Sequence, residues 1–215
     1  MGEFVNSTAA VVAAMAVGYV LGAFPMAVWV SRRQGVDIYS VGTGLAGASN
    51  VMRTVGRPQG AFVLIWDLVK GGLAVLAGWW IGADGTQVLL PMSAVLMGHW
   101  FSVFSGFRGG DGMAPLGGFV IVLFGATGVI TVVVALLVAF GGQRMPYPSL
   151  LSLVFGYGTL AGLSLTREGD MALTAGVGGL TGLVLTRAIL GHVRRRHSHD
   201  WEGLDDSDGT PQNSR

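Results

Sequence analysis

Two short stretches concentrate the side chains that could do chemistry. The first, VGTGLAGASNVMR from Val41 to Arg53, sets Gly42, Gly44 and Gly47 among Thr43, Ser49, Asn50 and Arg53. Closely spaced glycines let backbone N–H groups approach an anion without a Cβ in the way. A helix starting after Gly47 would add its first N–H groups to such a site. Arg53 offers a bidentate fork to a phosphate, and Asn50 both a donor and an acceptor. The same composition also suits close helix packing, with Ser49 or Asn50 capping a helix, and both readings stand. The Gly-Lys-Ser/Thr ending of a P-loop is absent. The second stretch, GHWFSVFSGFRGGDG from Gly98 to Gly112, places Arg108 beside Gly109 and Gly110 as a second anion contact. His99 stands at its start, at the edge of an apolar run. Asp111 is the odd member, able to pair with Arg108 or accept from a substrate hydroxyl but repelling a phosphate.

Those stretches are islands in a very apolar chain. Of 215 residues 51% are hydrophobic and 12% charged, with a mean hydropathy of +0.60; soluble domains carry about 25% charge. A net charge of +1 gives no nucleic-acid footprint, and without cysteine there is no disulfide framework or thiolate nucleophile. Hydropathy predicts an all-α, polytopic membrane protein with spans at Thr8–Val30, Ala61–Ile81, Val88–Phe104, Leu150–Leu165 and Met171–Ile189. The block Met113–Phe140 decides the count. As one helix it would be about 42 Å long, whereas a turn at Gly125–Gly128 would make two short helices. Two helices give seven spans and gather Arg32, Arg33, Arg53, Arg57, Arg108, Arg144 and the Arg194–Arg196 run on one face. The positive-inside rule then makes that face cytoplasmic, with the N-terminus outside and the C-terminus inside; a single helix would give six spans. The first seven residues lack a basic signal-peptide region, so the first span is expected to be retained. Residues 1–199 form the expected membrane domain, and 200–215 a flexible acidic tail.

Charges inside spans are costly and therefore informative. Asp67 and Lys70 lie three apart on one helix face, which favours an ion pair over direct ligand contact. Pro25, Gly18 and Gly22 should kink or thin the first span to admit a neighbour. His192, His197 and His199 among the terminal arginines suit contact with anionic lipid better than a metal. No zinc-protease spacing or Gly-x-Ser-x-Gly elbow occurs, and no metal or cofactor is expected.

The run YVLGAFPMAVWVSRRQGVDIYSVGTGLAGASNVMRTVG (Tyr19–Gly56), then WDLVKGGLAV (Trp66–Val75) and GHWFSVFSGFRGGDG, resembles the bacterial membrane acyl-phosphate:glycerol-3-phosphate acyltransferases. The resemblance implies seven helices, an outside N-terminus, a site on the cytoplasmic face of the inner membrane, and no obligate protein partner. It implies transfer of a fatty acyl group from acyl phosphate to the first hydroxyl of glycerol 3-phosphate, the first acylation of phospholipid synthesis. His99, Thr43 and Asn50 are then the expected catalytic groups. Arg53, Arg108, Gly42, Gly44, Gly47, Gly109 and Gly110 would bind phosphate, supported by Asp67, Lys70, Asp111 and His192. For an anion-binding site, Arg53, Arg108, Asn50, Thr43 and His99 should converge on one cytoplasm-facing pocket. An activated donor needs positioning and charge stabilisation more than a protein nucleophile. The chain departs from the family pattern in three places. GTGL replaces GSGN, so Leu45 stands for Asn; Asp111 replaces the Lys of GGKG, with Pro115 near the following Thr; and Arg195 stands for the Asn of His-x-x-Asn beginning at His192. A catalytically impaired, lipid-binding relative and a small transporter are the alternatives, the latter without an inverted repeat to support it.

Overall fold

The computed structural model describes residues 2–142, 147–167 and 169–205, and the side chains of residues 8–142, 147–167 and 169–190. The described residues are mostly helical. Helices α1 (Gly2–Ala23) and α2 (Met26–Arg33) are separated at Pro25, and α3 (Ala48–Thr54) is a short helix within the first long loop. Then come α4 (Arg57–Trp80), α5 (Leu89–Trp100), α6 (Met113–Phe124), α7 (Ala126–Gly141), α8 (Pro148–Thr166) and α9 (Met171–Asp205). Among the described residues, five stretches are long and apolar enough to cross a bilayer: Thr8–Arg33, Arg57–Trp80, Gly85–Ser105, Pro148–Thr166 and Met171–Leu190. Helices α6 and α7 are apolar but shorter, at 12 and 16 residues. This is an all-α, polytopic membrane protein. Helix α9 runs on to Asp205, past residue 200.

Glycine decides how closely the helices approach. A Cβ at Gly18 or Gly22 of α1 would run into the α5 backbone at Pro91 and Val95, and one at Gly98 of α5 into Tyr19 of α1. Gly71 and Gly118 likewise bring the backbones of α4 and α6 together. In a bilayer, where burial of apolar surface adds little, such backbone contact is a main source of helix association. The expectation that the first span thins to admit a neighbour holds at Gly18 and Gly22, and Pro25 breaks it into two helices. Val75, Met92, Leu96, Phe119 and Leu180 fill the core of the bundle, while Met26, Ile38, Val51 and Val63 form a smaller core beneath the first loop.

The interruption in the long apolar block is narrower than Gly125–Gly128. Gly125 alone forms the break, at φ 55° and ψ −125°, and Ala126 to Gly128 already belong to α7. A Cβ at Gly128 would strike the Val120 backbone, so α7 folds back tightly on α6. The backbone at Gly125 is one that side-chain-bearing residues avoid. Gly125→Ala should therefore cost about 1–3 kcal/mol of stability. Gly141→Ala, where a new Cβ meets nothing within 4 Å, should stay within about 0.5 kcal/mol of the native protein. Thermal unfolding in detergent checks both; equal stability would mean that the hairpin does not depend on Gly125.

Candidate functional site

The site begins where α1 stops. A helix end leaves its last carbonyls without intrahelical donors, and Pro25 ensures that the chain cannot continue regularly. Met26 N–H, which would otherwise serve Gly22, bonds to Phe24 O at 3.1 Å. Two side chains take up the orphaned carbonyls: Lys70 Nζ donates to Gly22 O at 3.3 Å, and the Ser102 hydroxyl donates to Ala23 O. Lys70 is 1% exposed and also pairs with Asp67 Oδ1 at 2.7 Å and with His99 Nδ1 at 2.8 Å. An ammonium only donates, so Nδ1 is the acceptor and the imidazole proton sits on Nε2. The expected Asp67–Lys70 pair is present, and it extends to His99 as a buried Asp–Lys–His chain joining α4 to α5.

The two glycine loops close over this chain. Asn50, 1% exposed, donates from its amide nitrogen to Ile38 O, Val41 O and Leu45 O at 3.0–3.1 Å, while its Oδ1 accepts from Thr43 N–H at 3.1 Å. These four bonds hold the first loop in shape. Gly42 lies against the same amide, where no Cβ fits. Gly44 N–H bonds to Val41 O, Gly47 N–H to Leu45 O, and Gly110 N–H to His99 O. These three N–H groups thus have backbone partners. Gly109 and Gly110 instead allow the second loop to press on His99, Gly109 on its backbone and Gly110 on Nε2. Ala46 N–H reaches Gly109 O at 3.4 Å and ties the loops together.

Arg108 and Arg53 border two different openings. Arg108 folds over the Tyr39 ring, 3.9 Å from its centre, and Tyr39 donates its hydroxyl back to Arg108 O at 3.0 Å. It borders a narrow polar notch of about 240 Å³ with Tyr39, Ser105, Lys70, Asp67 and His99. Arg53 borders a different opening, a groove of about 920 Å³ between α3, α4, α6, α7 and α8. Its mouth holds Arg53, Asp67, His99 and Asp111, and its length is apolar, with Leu68, Val132, Leu136, Phe140 and Leu153. His99 and Asp67 belong to both openings. Thr43 faces a third hollow between α5 and α9. The His192 and Arg195 side chains lie outside the described ones, and Arg144 outside the described residues.

Arg187 on α9 is the functional-site residue that sequence reasoning passes over. Its Nε donates to Gly110 O and its Nη2 to Trp100 O, both at 3.2 Å, with the guanidinium beside the Trp100 and Phe101 rings. The signal was present: it is a lone arginine within the apolar stretch Met171–Leu190. Of the placements open to Asp111, the structure has its carboxylate on the α6 backbone. It does not pair with Arg108; Oδ1 accepts from Met113 N–H at 3.1 Å, at the start of α6, and Trp100 Nε1 donates to its carbonyl at 2.8 Å. Burial pushes its carboxyl above the ordinary 3.8, and the N–H groups of Met113, Asp111 and Gly112 together with the Arg187 charge only partly offset this.

Fold and site together define a helical membrane protein that holds a hydrogen-bonded charged centre at the mouth of an apolar groove. Residues 12–200 match the family described as glycerol-3-phosphate acyltransferase. The chain is 39% identical over 123 residues to glycerol-3-phosphate acyltransferase 1 of Deinococcus radiodurans, which covers 57% of this chain and 62% of that protein. It is 32% identical over 180 residues to glycerol-3-phosphate acyltransferase 4 of Dehalococcoides mccartyi, covering 80% of this chain and 75% of the relative. The crystal structure of an integral membrane glycerol 3-phosphate acyltransferase in its glycerol 3-phosphate form superposes with a TM-score of 0.69 at 22% identity, over 94% of this chain and 96% of that one. The chain belongs to the glycerol-3-phosphate acyltransferase family.

The raised Asp111 pKa carries a sign that can be checked. Between its ordinary and its raised value the folded state binds more protons than the unfolded one, so stability falls as pH rises through that window. Asp111→Asn keeps an acceptor for Met113 N–H and removes the titration. The native protein should lose thermal stability as pH rises from about 4, and the Asn variant should lose less. Identical pH profiles would show that Asp111 titrates as it does in the unfolded chain.

Proposed function

We propose that this protein transfers a fatty acyl group from acyl phosphate to the first hydroxyl of glycerol 3-phosphate, releasing lysophosphatidic acid and inorganic phosphate. One observation carries the reading: a small opening that holds Arg108 and Lys70 and a long apolar groove headed by Arg53 meet at His99 and Asp67. The groove, with a cation at its mouth and hydrocarbon along its walls, suits a donor that is phosphate at one end and fatty chain at the other. The polar notch beside Arg108 suits a small, chain-free phosphate. With both substrates seated, the glycerol hydroxyl oxygen bonds to the acyl carbon as the acyl–phosphate C–O bond breaks, and phosphate leaves with the proton. The residues contribute positioning and charge. His99 stands at the junction, held through Nδ1 by Lys70, and Asn50 and Arg187 act on the loops around it.

The basic residues also support a direction in the membrane. Arg32, Arg33, Arg53, Arg57 and Arg108 gather at the end of the bundle that holds the site. With α6 and α7 each counted as a crossing there are seven passes, which place the N-terminus outside and the site and C-terminus in the cytoplasm of a cell whose inner membrane houses the protein. Asp111 favours an active enzyme over an impaired relative, because its carboxylate is turned onto the α6 backbone and its charge is disfavoured by burial.

The division of labour predicts a crossed kinetic result in detergent or liposomes. Arg53→Ala should raise KM for acyl phosphate, and Arg108→Ala should raise KM for glycerol 3-phosphate. Each rise should be roughly ten- to a hundredfold, the worth of a charged hydrogen bond. Arg53→Lys should recover only part, since a point charge cannot replace the fork. Effects on the opposite substrates would reverse the assignment, and unchanged kinetics in both would remove these arginines from the site.

A further inference from the structure

The donor groove does not end at Leu153. A second cavity lies between α6, α7, α8 and α9, and the two share six wall residues: Met113, Gly117, Val132, Ala135, Ser152 and Leu153. The walls that are not shared include Leu116, Val120, Leu160 and Val177, together with the hydroxyl of Thr131. The second cavity reaches farther from the charged end on three helices: to Val120 on α6, to Thr131 on α7 and to Leu160 on α8. Along α8, the first cavity runs from Ser149 to Leu153, about 6 Å, and the two together run from Ser149 to Leu160, about 16 Å. The first part can take only a short stretch of hydrocarbon, whereas the whole can take most of a long one.

Ala135 is the gate residue by position. It lines both cavities, and its Cβ faces Gly156 of α8 so closely that a Cβ there would sit 3.1 Å away. Two small residues therefore keep the passage open where α7 meets α8. Thr131 is the misfit in the far part: it is 5% exposed, and its Oγ1 has no hydrogen-bond partner. A hydrocarbon chain alongside it cannot supply one, so the hydroxyl works against occupancy by such a chain.

Resting on the acyltransferase reading above, we infer that the acyl chain of the donor threads past Ala135 into the second cavity, so that this cavity discriminates long acyl phosphates from short ones. The occupant follows from continuity with the groove headed by Arg53. A tail entering at the phosphate end has its path through the junction, and a short tail stops before it. A bilayer lipid chain filling the same space is the competing occupant, and it would make donor length irrelevant.

The test compares palmitoyl phosphate with octanoyl phosphate on the full chain in micelles, reading the ratio of their KM values. Ala135→Leu fills the junction and should raise the palmitoyl-to-octanoyl KM ratio about tenfold, through loss of buried methylenes. Thr131→Val replaces the orphaned hydroxyl with a methyl of the same shape and should lower that ratio about threefold. The opposite signs matter, because damage to the fold cannot improve the use of the longer donor. If Ala135→Leu does not fold, Thr131→Val still decides. Transfer by the native protein with both KM values moved together, or unmoved, in the variants overturns this inference alone. No transfer by the native protein from either donor overturns the acyltransferase reading and this inference with it.

Discussion

The buried ammonium of Lys70 is the constraint around which the rest is arranged. A charge at 1% exposure within a membrane span is tolerable only if all its protons are met. Its three acceptors come from three helices: the Gly22 carbonyl at the broken end of α1, Asp67 one turn away on α4, and His99 near the end of α5. Each acceptor in turn constrains the chain. The carbonyl requires α1 to end where it does, which Pro25 secures. The imidazole requires α5 to approach α1 within backbone contact, which Gly18, Gly22 and Gly98 permit. The charge thus fixes where three helices meet, and the ring that faces both openings is oriented by the same contact.

The loops are built outward from that centre. Asn50 folds the first loop by serving four backbone groups, and Gly109 and Gly110 let the second lie directly on His99. Arg187 reaches in from α9 to grip Gly110 and Trp100, and Asp111 closes the start of α6. Arg53 and Arg108, the cations proposed to meet the substrates, line separate openings, while the buried polar groups hold the frame. In the proposed reaction this arrangement would separate a fatty donor from a polar acceptor and still bring both to one imidazole.

Much of this was legible from residue order, for identifiable reasons. Spans are set by length and hydropathy alone, and the Asp67–Lys70 pair follows from helical spacing. The break in the Met113–Phe140 block showed as clustered glycines, though only Gly125 adopts the backbone that requires one. The glycine loops stay open to two readings in sequence, because backbone that cradles a phosphate and backbone that packs on a neighbour call for the same residue. Asn50 poses a similar problem: an amide matched to a ligand and an amide matched to four peptide groups look alike in sequence. Arg187 was missed although its intramembrane position marked it, since its partners are Gly110 and Trp100, far away in the chain. The distribution of Arg53, Arg108 and Thr43 over three openings depends on tertiary packing that no local pattern encodes.

The claim that Lys70 both stabilises the helix junction and orients His99 is tested most directly by comparing Lys70→Met with Lys70→Met/Asp67→Leu, measuring thermal stability in detergent and acyl transfer on the same samples. The single change strands a buried carboxylate and should cost about 3–5 kcal/mol. The double change removes both charges and should regain most of that stability while leaving transfer severely reduced, because nothing then holds Nδ1 of His99. A single variant as stable as the native protein, or a double variant with native transfer, would contradict the account.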